Sequence, residues 1–461
     1  MLLIAIVLAA GAAAPTDAYL DQSRARWEQF SRQIWGYAET ALHEEKSAKA
    51  FEEVLEKEGF QIARGIGGMP TAFVATAGKG EPVVAILAEY DALPGLSQKP
   101  GEPKKDPEKE GAPGHGCGHN LLGTAALAAG IAANHARIEE KLPGTIQVFG
   151  TPAEELLLGK IFMLKAGAFD RTDVVLSWHP DDKNQVITRP RLALTASDVE
   201  FFGKTSHASA SPWLGRSSLD AVELFDHAMS LMREHIQPTA RIHRTIKNGG
   251  MVPNVIPDYA KIQVWLRDSN GASVEEMLAR MRKAADGAAL GTETRAKVTV
   301  LASTRDPINN EAIGRVMQKH LERIGAPKWD DKDTEFAKTV QKEVGVEVAG
   351  LSADVLAFGP GHGGTASSDI GEVSAAKPLA ELGVAVRPIG TAAHHWAQTV
   401  CAVHPLGLKG MAVASKVLAA SAVDFLAQPK LAADAKAEFV RATKGKPYQS
   451  PLAMDAKPAV Y

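Results

Sequence analysis

Apolar positions recur at helical spacing through Trp27, Phe30, Ile34, Leu42, Phe51 and Leu55, which predicts helix over 20–60 with a stop at Gly59. Beyond it the pattern changes. Short apolar runs bounded by Gly and Pro, TAFVATA (71–77) and PVVAILAEYDALP (82–94), predict strands, and a Lys/Pro/Glu/Gly loop (98–113) follows. LLGTAALAAGIAANHARI (121–138) predicts a helix rich in small residues. TIQVFGTPAEE (145–155) and DVVLSWHP (173–180) each predict a strand running into a loop. Strands that alternate with helices imply an α/β fold, a mostly parallel sheet with helices on both faces.

From about Arg191 the order changes. LALTASDVEFFG (192–203) predicts a strand and DAVELFDHAMSLMREHI (220–236) a helix. MVPNVIPDYAKIQVWLRD (251–268) predicts two strands, SVEEMLARMRKAADGAA (273–289) a helix and AKVTVLA (296–302) a last strand. That is the order of a ferredoxin-like split βαβ unit. It reads as an α+β insertion, 191–302, within a larger α/β domain formed by 15–190 and 303–461. The larger domain resumes with a strand in GVAVRPIG (383–390) and a helix over 406–428.

Length and composition narrow this picture. At roughly 150 residues per domain, a chain of 461 suggests about three domains, and two larger ones fit as well. Apolar residues make up 45% and charged ones 23%, the balance of a globular protein. Fifty-one basic against 54 acidic residues leave no positive field for nucleic acid or an anionic membrane. The two cysteines, Cys117 and Cys401, are too few for a disulfide framework. Residues 2–10 are uninterrupted apolar and run into GAAAPTD. The run falls short of the roughly 20 residues a membrane span needs. It predicts a signal peptide over 1–14 and export to the periplasm, although no basic residue precedes it. A buried N-terminal element, in a cytoplasmic protein, is the alternative.

Chemistry concentrates where strands end. His115-Gly-Cys117-Gly-His119-Asn120 sets two imidazoles and a thiol on a glycine loop opening a helix, and Cys and His are preferred ligands of zinc-like ions. Asp91, Glu154-Glu155, His179 and His394-His395 each follow or close a predicted strand, where open α/β sheets bind ligands. Singly, each reads as well as a surface residue or a helix cap. Their shared placement favours one site. Of two adjacent carboxylates beside a metal, one can ligate while the other shuttles protons. Cys117, His119, Glu155, His179 and His394 are donors enough for two divalent ions, zinc or manganese, and two-metal hydrolysis follows.

The segments AEYDALPG (88–95), GAPGHGCGHNLLGT (111–124), GTPAEE (150–155), SWHP (177–180), GKTSHAS (203–209), NGGMVPNVIPDYA (248–260), SSDIGEVS (367–374) and GTAAHHW (390–396) occur in an order that resembles the peptidase M20 family. Within it the chain is most similar to the amidohydrolase subfamily, in the aminobenzoyl-glutamate branch. The resemblance implies a catalytic α/β domain with a ferredoxin-like lid that also forms a homodimer. It implies Cys117, His119, Glu155, His179 and His394 as ligands of a dinuclear site and Glu154 as general base. His207 would reach a neighbouring subunit's site and polarise the scissile carbonyl. Asn254 and Arg267 would hold the substrate's carboxylate, a role that also suits a guanidinium fork. Asn120 replaces the Asp common in the subfamily and cannot carry its charge. Spacing to Trp396 favours His394 over His395, and both stay candidates. Asp369 and Glu372 match a family segment in which capping or loop bracing is the role expected of them.

The implied activity is metal-dependent hydrolysis of the amide bond of N-acyl, including N-aroyl, amino acids. A dipeptidase or carboxypeptidase would use the same chemistry. A non-catalytic metal-dependent binder is a third reading, which the intact Glu154 opposes.

Overall fold

Two sheets organise residues 15–361 and 366–460, those described by the computed structural model; the expected signal peptide, 1–14, lies outside them. In chain order the strands are β1 (Gln61–Arg64), β2 (Phe73–Lys79), β3 (Val83–Ala88), β4 (Gly144–Gly150), β5 (Val174–Asp181), β6 (Gln185–Ile187), β7 (Ala193–Phe202), β8 (Arg241–Asn248), β9 (Tyr259–Asp268), β10 (Arg295–Thr304) and β11 (Leu379–Ala385). The larger sheet has the order β1-β2-β4-β3-β5-β11-β6. Its middle, β4-β3-β5-β11, is parallel, and antiparallel pairing is confined to the margins. All six residues of β3 are buried, as a strand covered by helices on both faces requires.

The helix expected over 20–60 is three helices, Pro15–Gln22, Arg24–Tyr37 and Glu45–Lys57. The second break follows from Ala38 (φ +43°) and Leu42 (φ +66°), left-handed residues flanking Thr40, which pairs with Ala92. The strand expected over 82–94 stops at Ala88, so Glu89, Tyr90 and Asp91 lie beyond the ladder. The helix His119–Glu139 packs hard on this segment. A Cβ at Gly123 would lie 2.4 Å from the Glu89 carbonyl oxygen, so only glycine lets the helix bring His119 beside Glu89 and Asp91.

The second sheet, order β10-β7-β9-β8, is antiparallel throughout, with helices Ser218–Met232 and Gly271–Gly291 packed on it. Order and connection are those of a ferredoxin-like unit. One strand differs from expectation: the partner preceding β9 is β8, and residues 251–257 form a largely exposed loop. Pro253 and Pro257 cannot donate to a ladder, while β8 is a mostly exposed edge strand whose polar pattern hides it.

Strands β7 and β10 change company along their length. Leu194, Ala196, Val300 and Ala302 pack in one cluster with Phe149, Phe169 and Val373 of the larger domain. Val199 and Phe201 pack with Phe225 and Met277 in the smaller unit's own core. The β7–β10 register shifts between Val300 and Ala302. A third cluster packs the helices on the other face of the larger sheet. It includes Pro405–Ala427, which is long and apolar enough to cross a membrane, but 67% of its apolar window is buried inside the fold, as in a core helix.

Candidate metal centre

The carboxyl ends of the parallel strands deliver the chemistry to one place, as open α/β sheets do. β3 leads to Glu89 and Asp91, β4 to Glu154 and Glu155, and β11 to the loop carrying His394, while His179 lies near the end of β5. Cys117 and His119 arrive from the glycine loop. There Gly118 (φ +83°) makes the left-handed turn into the helix, and a Cβ on it would strike Gln398 and Pro180.

Three donor groups result among the described residues, the ligand atoms of each lying within 4.8 Å of one another: Cys117, His119 and His179; Cys117, Glu155 and His394; and Glu89, His119 and Glu154. Cys117 is common to the first two and His119 to the first and third. His119 Nδ1 faces Asp91 Oδ1 at 2.9 Å, and Asp91 Oδ2 accepts the Glu155 N–H at 2.9 Å. Asp91 thereby orients the imidazole so that Nε2 points into the group. His179 Nδ1 lies 2.9 Å from the Pro180 carbonyl oxygen, leaving Nε2 3.4 Å from Cys117 Sγ. His394 adopts φ +58°, donates its N–H to the Gly116 carbonyl (2.7 Å) and sets Nε2 3.2 Å from Glu155 Oε2. His395 instead caps the helix Trp396–Cys401, its Nδ1 accepting from the Ala397 N–H.

Without a cation this group is electrostatically unsettled. Burial, then the carboxylates of Glu89 and Glu155, holds Glu154 well above the ordinary carboxyl range. Burial, with Cys117, lifts Glu155 to about 7 against the pull of His394 and His119. Burial also raises Cys117, but the imidazoles of His119 and His179 outweigh it and bring the thiol well below its usual value. His119 Nε2, Glu89 Oε2 and Glu155 Oε1 are buried with no hydrogen-bond partner among the described residues, an expensive condition for three atoms in one place. Sulfur, imidazole nitrogen and carboxylate oxygen facing one another fit a divalent transition-metal ion.

Neighbouring residues have other tasks. His115 turns away, its Nε2 3.1 Å from the Ile34 carbonyl oxygen. Asn120 donates to Ser31 Oγ and the Ala402 carbonyl, a purely neutral brace for the helix start. Glu372 takes Arg305 (2.8 Å) and the Tyr448 hydroxyl (2.6 Å). Asp369 is bound to Lys160, a fully buried lysine that no sequence pattern singles out. Arg191, also buried, pairs with Glu381 at 2.7 Å. Glu89 likewise escaped the sequence reading; its position one residue past a strand was the available signal.

The candidates on the smaller unit, His207, Asn254 and Arg267, belong to none of these donor groups. His207 is exposed, and its Nδ1 accepts from the N–H groups of Ser209 and Ala210. Asn254 is exposed beside it, its carbonyl accepting the Ala208 N–H. Arg267, on β9, is half-buried with its guanidinium 5.2 Å from the Trp265 ring centre.

Comparison with known proteins gives this geometry its context. The chain is 33% identical to a p-aminobenzoyl-glutamate hydrolase subunit of Escherichia coli K12, over 96% of this chain and 98% of that protein. It is 36% identical to the Xaa-Arg dipeptidase of Mus musculus, over 59% of this chain and 62% of that protein. A dinuclear metal binding peptidase of the M20 family from Bacillus subtilis shares the fold, with a TM-score of 0.57, 20% identity, and coverage of 88% of this chain and 99% of that one. The sequence profile of peptidase family M20/M25/M40 matches residues 85–420. The chain therefore belongs to peptidase family M20/M25/M40, as a metal-binding hydrolase of amide bonds.

Proposed function

We propose that this protein cleaves the amide bond of N-acyl amino acids that keep a free carboxylate, N-aroyl glutamates foremost, with two divalent ions held by Cys117, His119, Glu155, His179 and His394. The observation that carries the reading is the pair of donor groups sharing Cys117 Sγ, with Glu154 alongside. Zinc suits the thiolate, and the imidazoles and carboxylate admit manganese as well. Bound there, the ions supply Lewis-acid activation of water and neutralise developing negative charge. Glu154 accepts the attacking water's proton and hands it to the departing amine, a task suited to a carboxylate of raised proton affinity. The identity with the p-aminobenzoyl-glutamate hydrolase protein along nearly the whole chain supports the aroyl-glutamate substrate. A panel of N-aroyl glutamates, N-acetyl amino acids, dipeptides and indole-acetyl conjugates tests it on metal-reconstituted protein. Turnover of dipeptides alone would make it a dipeptidase.

Arg267 and Asn254 are assigned to the substrate's carboxylate. Arg267→Ala should raise KM for free-acid substrates by roughly tenfold or more, since a charge-assisted hydrogen bond is worth about 1.5–3 kcal/mol. The corresponding amides or esters should be little affected. Equal losses on both would make Arg267 a support of the fold.

His207 is assigned to the scissile carbonyl in the partner subunit of a homodimer. Its exposure suits that role, as do the exposed apolar side chains Trp213 and Leu214, near it in sequence, and Val252 and Val255, on the loop with which His207 pairs. Glu154→Ala and His207→Ala should then complement. In a mixed dimer one site combines both intact residues and the other has neither. Random assembly of two mutant chains makes about half the dimers mixed, so about one quarter of wild-type activity returns. A tagged, purified heterodimer without activity would show that His207 does not act across the interface.

A further inference from the structure

Glu89 is 3% exposed and its two carboxylate oxygens have different fates. Oε1 pairs with Lys160 Nζ at 2.7 Å. Lys160, fully buried, also binds Asp369 twice, Nζ to Oδ1 at 2.5 Å and N–H to Oδ2 at 2.9 Å. Backbone and side chain of Lys160 thus anchor on one carboxylate, and its ammonium then fixes the angle of the next. Oε2 is left over. It lies 3.2 Å from His119 Nε2 without making a hydrogen bond to it, and neither atom has a hydrogen-bond partner among the described residues. A buried carboxylate oxygen and a buried imidazole nitrogen do not face each other unbonded without cost.

A shared ion removes that cost. Ligand atoms about 2.0–2.2 Å from a zinc-like ion, at angles between about 90° and 109°, sit roughly 2.8–3.6 Å apart. The observed separation falls in that interval. Charge points the same way. Of the five donors already assigned, only Cys117 and Glu155 bring negative charge to two divalent ions, and beside them one lysine, Lys160, is shared by two carboxylates, Asp369 and Glu89, a trio of net negative charge. We propose that Glu89 is a sixth protein ligand, bonding through Oε2 to the ion held by His119 Nε2, and that Lys160 and Asp369 are positioning residues that aim it. This rests on the metal reading above, and it gives Asp369 a role beyond capping.

Glu89→Gln isolates the claim. The amide can still accept from Lys160 through its carbonyl oxygen, but the NH2 it then turns toward His119 cannot ligate. Cobalt(II) is the probe, titrated into metal-free full-length protein and followed by visible absorption and by metal analysis after gel filtration. Wild type should take two ions. Glu89→Gln should keep its circular dichroism and bind one of the two at least tenfold more weakly, the lower end of what losing even an outer partner of a ligand costs, with altered ligand-field bands. Unchanged affinities and bands would overturn the proposal and reduce Glu89 to the counter-ion of Lys160. If Glu89→Gln does not fold, Glu89→Asp serves, being too short to reach lysine and ion together: a weaker ion with altered bands supports the proposal, wild-type binding overturns it. Failure of wild type to bind two ions, or indifference of binding to Cys117→Ser, would instead remove the metal reading, and this ligand with it.

Discussion

Glu154→Gln is expected to leave both metal ions in place and to lower kcat by roughly 10²–10⁴-fold, the usual size of a general-base contribution. The geometry supports separating the two adjacent glutamates in this way. Glu155 has His394 Nε2 at 3.2 Å and receives its backbone restraint from Asp91, so it is tied into the donor group that shares Cys117. Glu154 Oε2 is 3.9 Å from His119 Nε2, and its proton affinity is raised by burial and by the carboxylates of Glu89, Glu155 and Asp369. Glutamine keeps the shape and loses the basicity. Metal analysis beside single-turnover rates distinguishes the two assignments: a mutant lacking one ion would exchange the roles of Glu154 and Glu155.

Cys117→Ser should have the largest effect on metal content, because Sγ belongs to two donor groups at once. A serine hydroxyl at neutral pH is neither soft nor ionised, whereas the thiol here is held well below its ordinary pKa by two imidazoles that outweigh the effect of burial. Affinity for both ions should fall by more than the roughly 10–100-fold that loss of an outer hydrogen-bond partner costs, and activity with it. Wild-type metal content and turnover in the serine variant would reduce Cys117 to a buried structural thiol.

The convergence of Cys117, His119, Glu155, His179 and His394 was legible in the chain because topology alone places strand ends together. Distances were not needed, only the alternation of strands and helices. What stayed hidden depends on tertiary burial or on single torsions. Lys160 follows LLLG and reads as an ordinary helix lysine; only the arrival of Asp369, 209 residues away, makes it a buried pivot. Glu89 sits in AEYDALP beside Asp91, and the pattern could not tell which carboxylate faces His119 Nε2 and which faces Nδ1. His394 and His395 became distinct through the left-handed torsion at His394, which spacing does not encode. Strand β8 was missed because an exposed edge carries little hydrophobic signal.

The way β7 and β10 divide their side chains between two cores bears on how this protein could be taken apart. An insertion hung on flexible tethers would be a cartridge, removable at its two chain crossings and replaceable by another. Here a cut at 191 and 303 would strip Leu194, Ala196, Val300 and Ala302 from beneath Phe149, Phe169 and Val373, leaving apolar faces open on both pieces. Recombination between relatives that respects the sequence boundary would therefore carry foreign strand roots into the larger domain's core. The natural seam lies inside the strands, between Ala196 and Val199 of β7 and between Val298 and Val300 of β10, where the two cores part.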